Sequence, residues 1–194
     1  MNNRGFALTA FFLTFFTVVC FWEDSAQGRI IKIVVPEENR MEGGALFLWW
    51  PELPAIEWWQ QDREASITRG SNVLVPLGAD ATRAEALIAA QAIEKKLTLC
   101  FNLGEFIFYQ KRLLLEENDG AVEFVEGTAV TTGDGKKLPG FLFVHKKTGA
   151  FEHLFYGEEG NFYTIFSLQA RDRKAYLRAL HYYKLLLSRY REKW

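Results

Sequence analysis

The stretch KLPGFLFVHKKTGAFEHLFYGEEGNFYTIFSLQAR, Lys137 to Arg171, decides the fold. It holds three runs of aromatic and branched residues: Leu138–Lys146, Phe151–Tyr156 and Phe162–Leu168. Lys147-Thr148-Gly149 and Gly157-Glu158-Glu159-Gly160 separate them. Short runs of this kind between Gly-containing turns predict an antiparallel meander, because glycine supplies the backbone angles that a tight reversal requires.

Just upstream, Ala121–Val130 alternates as a strand does, and Gly133-Asp134-Gly135 predicts a hairpin into the strand at Leu138. Gly133-Asp134-Gly135-Lys136 lacks the spacing and the following helix of a phosphate loop, so a turn is its reading. Downstream, Arg171–Lys193 predicts a long C-terminal helix. Tyr176, Leu180, Tyr183, Leu187 and Tyr190 form an apolar stripe, widened by Leu177 and Leu186, and Arg171, Arg173, Lys174 and Arg178 take the other face.

Farther upstream, Asn102-Leu103-Gly104-Glu105 is a capping box that opens a helix over Leu103–Glu116, with Asn118-Asp119-Gly120 ending it. Asn72–Pro76 reads as a short strand. A helix over Arg83–Lys96 follows, capped by Asp80 or Thr82, with Ala84, Leu87, Ile88 and Ala92 at helical spacing. Arg29–Pro36 predicts a first strand, Glu37–Gly44 a polar loop and Ala45–Trp50 another apolar run cut by Pro51 and Pro54. Strands and helices in this arrangement predict one α+β domain over residues 29–194, its helices burying their apolar faces on the sheet.

Residues 1–28 read as a secretory signal peptide. Arg4 is basic, Gly5–Trp22 carries no charge, and Ala26-Gln27-Gly28 places small residues before a mature start at Arg29. An uncleaved anchor is the alternative, since the apolar run just reaches spanning length. A lipoprotein signal at Cys20 is disfavoured by Val19 in the preceding position. Either main reading exports the chain beyond Trp22, to the periplasm or outside the cell. The exported part then holds Cys100 alone, so no internal disulfide forms, and Cys100 in its apolar run reads as an inert thiol.

The net charge is −1. Loss of residues 1–28 removes Arg4, Glu23 and Asp24 and leaves basic and acidic side chains in equal number. Such a chain has no electrostatic footprint for a phosphate backbone, which excludes nucleic acid as an expected partner. Membrane contact is expected only through residues 5–22, if they are retained.

Asn72-Val73-Leu74-Val75-Pro76 with its following helix is one informative piece. Tyr156-Gly157-Glu158-Glu159-Gly160-Asn161-Phe162-Tyr163, then Phe166-Ser167-Leu168 and the terminal helix, is the other. Over about residues 70–192 they resemble small exported bacterial proteins of poorly defined role. Their element order is similar to the PsbP/Mog-type α/β/α sandwich, a central antiparallel sheet covered by helices. The resemblance implies a binding or assembly protein, as some such proteins resemble immunity proteins for secreted toxins. The block before residue 70 has no counterpart in it.

That block carries the candidate binding surface, with a lid packed on the sheet edge as the alternative reading: Trp49, Trp50, Trp58 and Trp59, with one member of each pair expected in the core and one outside. Glu158 and Glu159, expected in a solvated turn, extend it. No catalytic spacing of the common hydrolase, kinase or zinc-protease kinds occurs, and no cofactor or metal is implied. The expectation is an exported, non-enzymatic protein that binds a protein partner. Two alternatives remain. One is a metal-dependent hydrolase using His145 and His153 across a hairpin, with a third ligand from another element because Glu152 reads onto the opposite face. The other is an envelope structural protein held by its N-terminal helix.

Overall fold

The computed structural model describes residues 30–35, 47–127 and 129–192. The leader, its cleavage site and the polar loop at 37–44 lie outside them. β1 (Ile30–Val34) and β2 (Phe47–Pro51) form an antiparallel pair. β3 (Trp59–Gln61), α1 (Arg63–Arg69), β4 (Asn72–Pro76) and β5 (Ala86–Glu94) follow, then α2 (Leu103–Glu117). The second half holds β6 (Val122–Glu126), β7 (Val130–Thr131), β8 (Lys137–Leu138), β9 (Gly140–His145), β10 (Phe151–Glu159), β11 (Phe162–Ala170) and α3 (Arg173–Arg189). The main sheet is seven-stranded and antiparallel, in the order β3-β4-β5-β11-β10-β9-β6. Among the described residues, no helix is long and apolar enough to cross a membrane.

The meander forms as its sequence indicates, with two corrections. The run Leu138–Lys146 is divided, Leu138 belonging to β8 in a separate two-stranded sheet and β9 starting at Gly140. β10 continues through Gly157, Glu158 and Glu159, and the reversal into β11 is made by Gly160-Asn161 alone. Glu159 pairs with Phe162 in register, so the stretch expected as a four-residue turn is mostly strand. Gly157 is needed there because a Cβ would come within 2.6 Å of the Thr164 hydroxyl on the neighbouring strand. The expected strand over Ala121–Val130 is divided. β6 pairs with β9, whereas β7 pairs with β8 through the Gly133-Asp134-Gly135 hairpin.

The largest correction concerns Arg83–Lys96. Its alanines favour a helix, yet Ala86–Glu94 is a strand between β4 and β11. All five residues from Ala86 to Ala90 are buried. A strand covered on both faces shows a continuous apolar run, and in so short a window that run also satisfies helical spacing. Asp80 caps a turn instead: its Oδ1 accepts from the Thr82 and Arg83 amides at 2.9 and 3.0 Å. The resemblance drawn on a helix after Asn72–Pro76 therefore departs from the structure at that element. α1 and β3 have no counterpart among the expected elements, although Asp62 and Gly70 supply an N-cap and a left-handed C-cap around Arg63–Arg69.

Alternate residues of the central strands serve different cores. Ile88, Phe155, Phe166 and Leu168 pack with Ala175, Ala179, Tyr183, Leu186 and Leu187 of α3. Small residues at Ala86, Ala90, Ala175 and Ala179 let this helix lie close to the sheet. Leu154, Tyr156 and Tyr163 pack instead with Phe106 of α2, whose ring stacks on Tyr163 at 4.4 Å. The α2 cap forms as its sequence indicates: Asn102 Oδ1 accepts from the Glu105 amide at 2.9 Å. α3 is shorter than its periodic pattern, starting after the Asp172 cap, and Leu177 is 56% exposed and does not belong to its buried stripe.

Candidate functional site

The four tryptophans separate into different environments. Trp50 is buried in β2. Trp49 is half-buried, its ring 5.2 Å from Phe162 and beneath the Lys32 ammonium. Trp59 is half-buried in the edge strand β3, with its ring 6.1 Å from Tyr182. Trp58 alone stands out, 62% exposed and with φ at 67°. A left-handed backbone at a bulky residue is a genuine outlier and costs about 1–3 kcal/mol. It is held by the bond from the Leu77 amide to the Trp58 carbonyl at 2.7 Å, which clips the entry to β3 onto the exit from β4.

Beside Trp58 lies a groove of about 230 Å³ between β3 and α3. Trp58, Trp59, Pro76, Ala179 and Tyr182 supply its apolar lining. Arg178 and Glu85, ion-paired with each other, stand at the same groove. Leu77, 63% exposed, extends the apolar surface next to Trp58. This surface can grip an apolar side chain of a partner while the ion pair offers one charge of each sign to its surroundings.

Glu158 and Glu159 behave differently from each other. Glu158 is exposed and pairs with Lys95, whose ammonium also reaches the Gly160 carbonyl at 2.6 Å. Glu159 is buried, and the Tyr190 hydroxyl donates to its Oε1 at 2.6 Å. Burial raises its pKa, opposed by the Tyr190 bond and by the charge of Lys136. The expectation of a wet carboxylate is thus corrected: strand alternation turns Glu159 inward, onto the end of α3. There it helps fasten the C-terminal segment, together with the bonds from the Gly133 amide to the Tyr190 carbonyl and from the Glu192 amide to Asp134, at 2.8 and 2.9 Å. Tyr190→Phe leaves the buried Glu159 oxygen without this donor and is expected to cost about 1–3 kcal/mol, read by denaturant unfolding.

His145 and His153 do not face each other. β9 and β10 pair Val144 with Phe151, which sets His153 opposite Leu142. His153 is buried among Phe155, Tyr176 and Tyr183, and its Nδ1 lies 3.0 Å from the Tyr176 hydroxyl. Burial, and secondarily Lys184, pushes its pKa down to about 4. His145 belongs to the other side of the sheet. Glu152 lies on the opposite face from His153, as expected, but it shares that face with His145, with Oε2 3.7 Å from His145 Nε2. The hairpin offset places His145 beside Glu152 and parts it from His153, so the two histidines share no site. Among the described residues, no group of three or more His, Cys, Asp or Glu side chains is placed to hold a metal ion.

Cys100 is half-buried beside α2, and its carbonyl accepts from the Tyr163 hydroxyl at 3.2 Å. No family model matches the chain, and no curated protein matches its sequence.

Proposed function

We propose that this is an exported, non-catalytic protein that binds a protein partner through the groove beside Trp58. The observation that carries this reading is the exposed Trp58 held in a left-handed backbone next to Trp59, Pro76 and Tyr182. Aromatic anchors beside a formed pocket dominate binding energy at protein interfaces, and a strained residue at a surface marks a position the fold maintains for something other than stability. The four-tryptophan surface expected from the sequence narrows to Trp58 and Trp59, with Leu77 and the Arg178–Glu85 pair as the rim. Glu158 remains an accessible contact at a different edge.

α2 and α3 packing on different cores of the same sheet supports an α/β/α sandwich of the PsbP/Mog type. The export assignment rests on the composition of residues 1–28, and periplasmic or secreted is the compartment it implies. A toxin of that compartment, neutralised as in an immunity pair, is the partner class this reading favours.

Trp58→Gly tests the groove, because glycine adopts this backbone without strain. The variant is expected to unfold at the same temperature as the parent or higher. Capture of an envelope partner by the immobilised protein is expected to fall at least tenfold, as loss of an aromatic anchor worth about 2 kcal/mol or more implies. Equal capture by parent and variant, with Leu99→Ser as the control at a remote exposed site, would sink this surface.

A further inference from the structure

Away from the groove, two hydrogen-bond chains run toward each other across the sheet face that carries α2. From one side, Arg69 Nη1 donates to Gln169 Oε1 at 3.2 Å, and Gln169 Nε2 donates to Glu152 Oε1 at 3.1 Å. From the other, Asn118 Nδ2 donates to the Leu114 carbonyl at 2.8 Å, which leaves Asn118 Oδ1 facing His145 Nδ1 at 3.2 Å. The directions are fixed by chemistry. Arginine only donates and a carbonyl only accepts, so His145 must carry its proton on Nδ1. Neutral His145 therefore presents the lone pair of Nε2 toward Glu152 Oε2, 3.7 Å away. With the ring neutral both atoms are acceptors; a second ring proton would instead pair His145 with Glu152, and a bound cation takes the place of that proton.

Two cavities share Glu152 and Gln169 in their linings, and His145 lines the first. One, of about 340 Å³, is lined by Ala84, Leu87, His145, Glu152 and Gln169. The other, of about 260 Å³, includes Glu152 and Gln169 again with Leu113, Leu114, Leu154 and Ile165. We propose that Glu152 Oε2 and His145 Nε2 together bind a primary ammonium group, whose alkyl stem lies along these leucines and Ile165. One nitrogen with several N–H bonds satisfies both acceptors at once, which a hydroxyl cannot do.

The surrounding charges agree. Burial raises the Glu152 pKa, opposed by the Gln169 bond and by His145, with a smaller rise from Glu117, and a cation beside Glu152 acts against the rise. The ammonium can come from a small free amine or from a lysine side chain.

The test is an NMR titration of the His145 ring in the intact protein at neutral pH, with n-butylammonium and with N-acetyl-lysine methylamide. Butyltrimethylammonium, which has the charge and no N–H, is the control. Butylammonium is expected to give a saturable shift, and Glu152→Gln to weaken it at least tenfold. Equal titration by lysine methylamide assigns the site to protein lysines, and preference for butylammonium assigns it to small amines. Either outcome supports the site. It is overturned if butylammonium gives no saturable shift, if the quaternary salt titrates equally, or if Glu152→Gln binds as the parent does. The nitrogen shifts of the free ring give a second reading: a proton found on Nε2 in neutral His145 removes the acceptor pair and with it the proposal.

Discussion

Gly140→Ala is expected to destabilise the protein by on the order of 3 kcal/mol and to lower its melting temperature by about 10 °C. Gly140 begins β9 directly opposite Phe155 of β10. The Phe155 ring lies over it so closely that a Cβ would sit 2.2 Å from the ring edge. Gly140 is buried, and Phe155 is 1% exposed, locked in the α3 core with Tyr183 at 5.6 Å. The ring cannot swing away without displacing the helix, and the methyl cannot be absorbed by a flexible tip. Adding Phe155→Leu to Gly140→Ala is expected to recover part of the loss, and a double-mutant cycle by urea unfolding measures the coupling. Strictly additive effects would show that the ring is not the obstacle.

His153 is expected to make the fold acid-sensitive between about pH 6.5 and pH 4. Its folded pKa is depressed to about 4 from an ordinary 6.5. The unfolded chain therefore takes up a proton at a pH where the folded chain does not. Stability from this group is complete above 6.5, falls as pH drops through the window, and levels off below the folded value. The difference corresponds to about 3 kcal/mol. Physically, an imidazolium would have to sit among Phe155, Tyr176 and Tyr183, with Nε2 buried and lacking a hydrogen-bond partner among the described residues. Glu152 and Glu159 have the opposite sign. Their raised pKa values give stability that is present below the ordinary carboxylate range and lost as pH rises through the folded values. His153→Phe is expected to flatten the acid limb of urea midpoints measured across this window. An unchanged slope would assign the sensitivity elsewhere.

The sheet's second half is legible in the sequence because its signals are local. Gly-bounded aromatic runs, the Asn102 capping box and the α3 stripe each fix a conformation within a few residues. β5 is not legible, because what makes Ala86–Ala90 a strand is cover from both sides by elements distant in sequence. Glu159 misleads for a related reason. Its two neighbouring glycines signal a turn, but Gly157 is a packing glycine required by Thr164, and only Gly160 turns the chain. Of the site, the tryptophan block is visible in the sequence, though the positive φ that goes with the exposure of Trp58 is not. The Glu152–His145 pair is not visible, because β9 and β10 pair three residues away from the register that would set His145 opposite His153, and an odd shift exchanges the faces of a whole strand.

The middle of the sheet is stitched by β5 and β11, whose aligned ends are Ala86 and Ala170. No tight loop can close that seam, and it waits until the chain has been made as far as Ala170. Proteins wired through such distant partners acquire their architecture late and slowly. During synthesis β5 is left as an unfinished edge, open to whatever cellular machinery reaches it before β11 does.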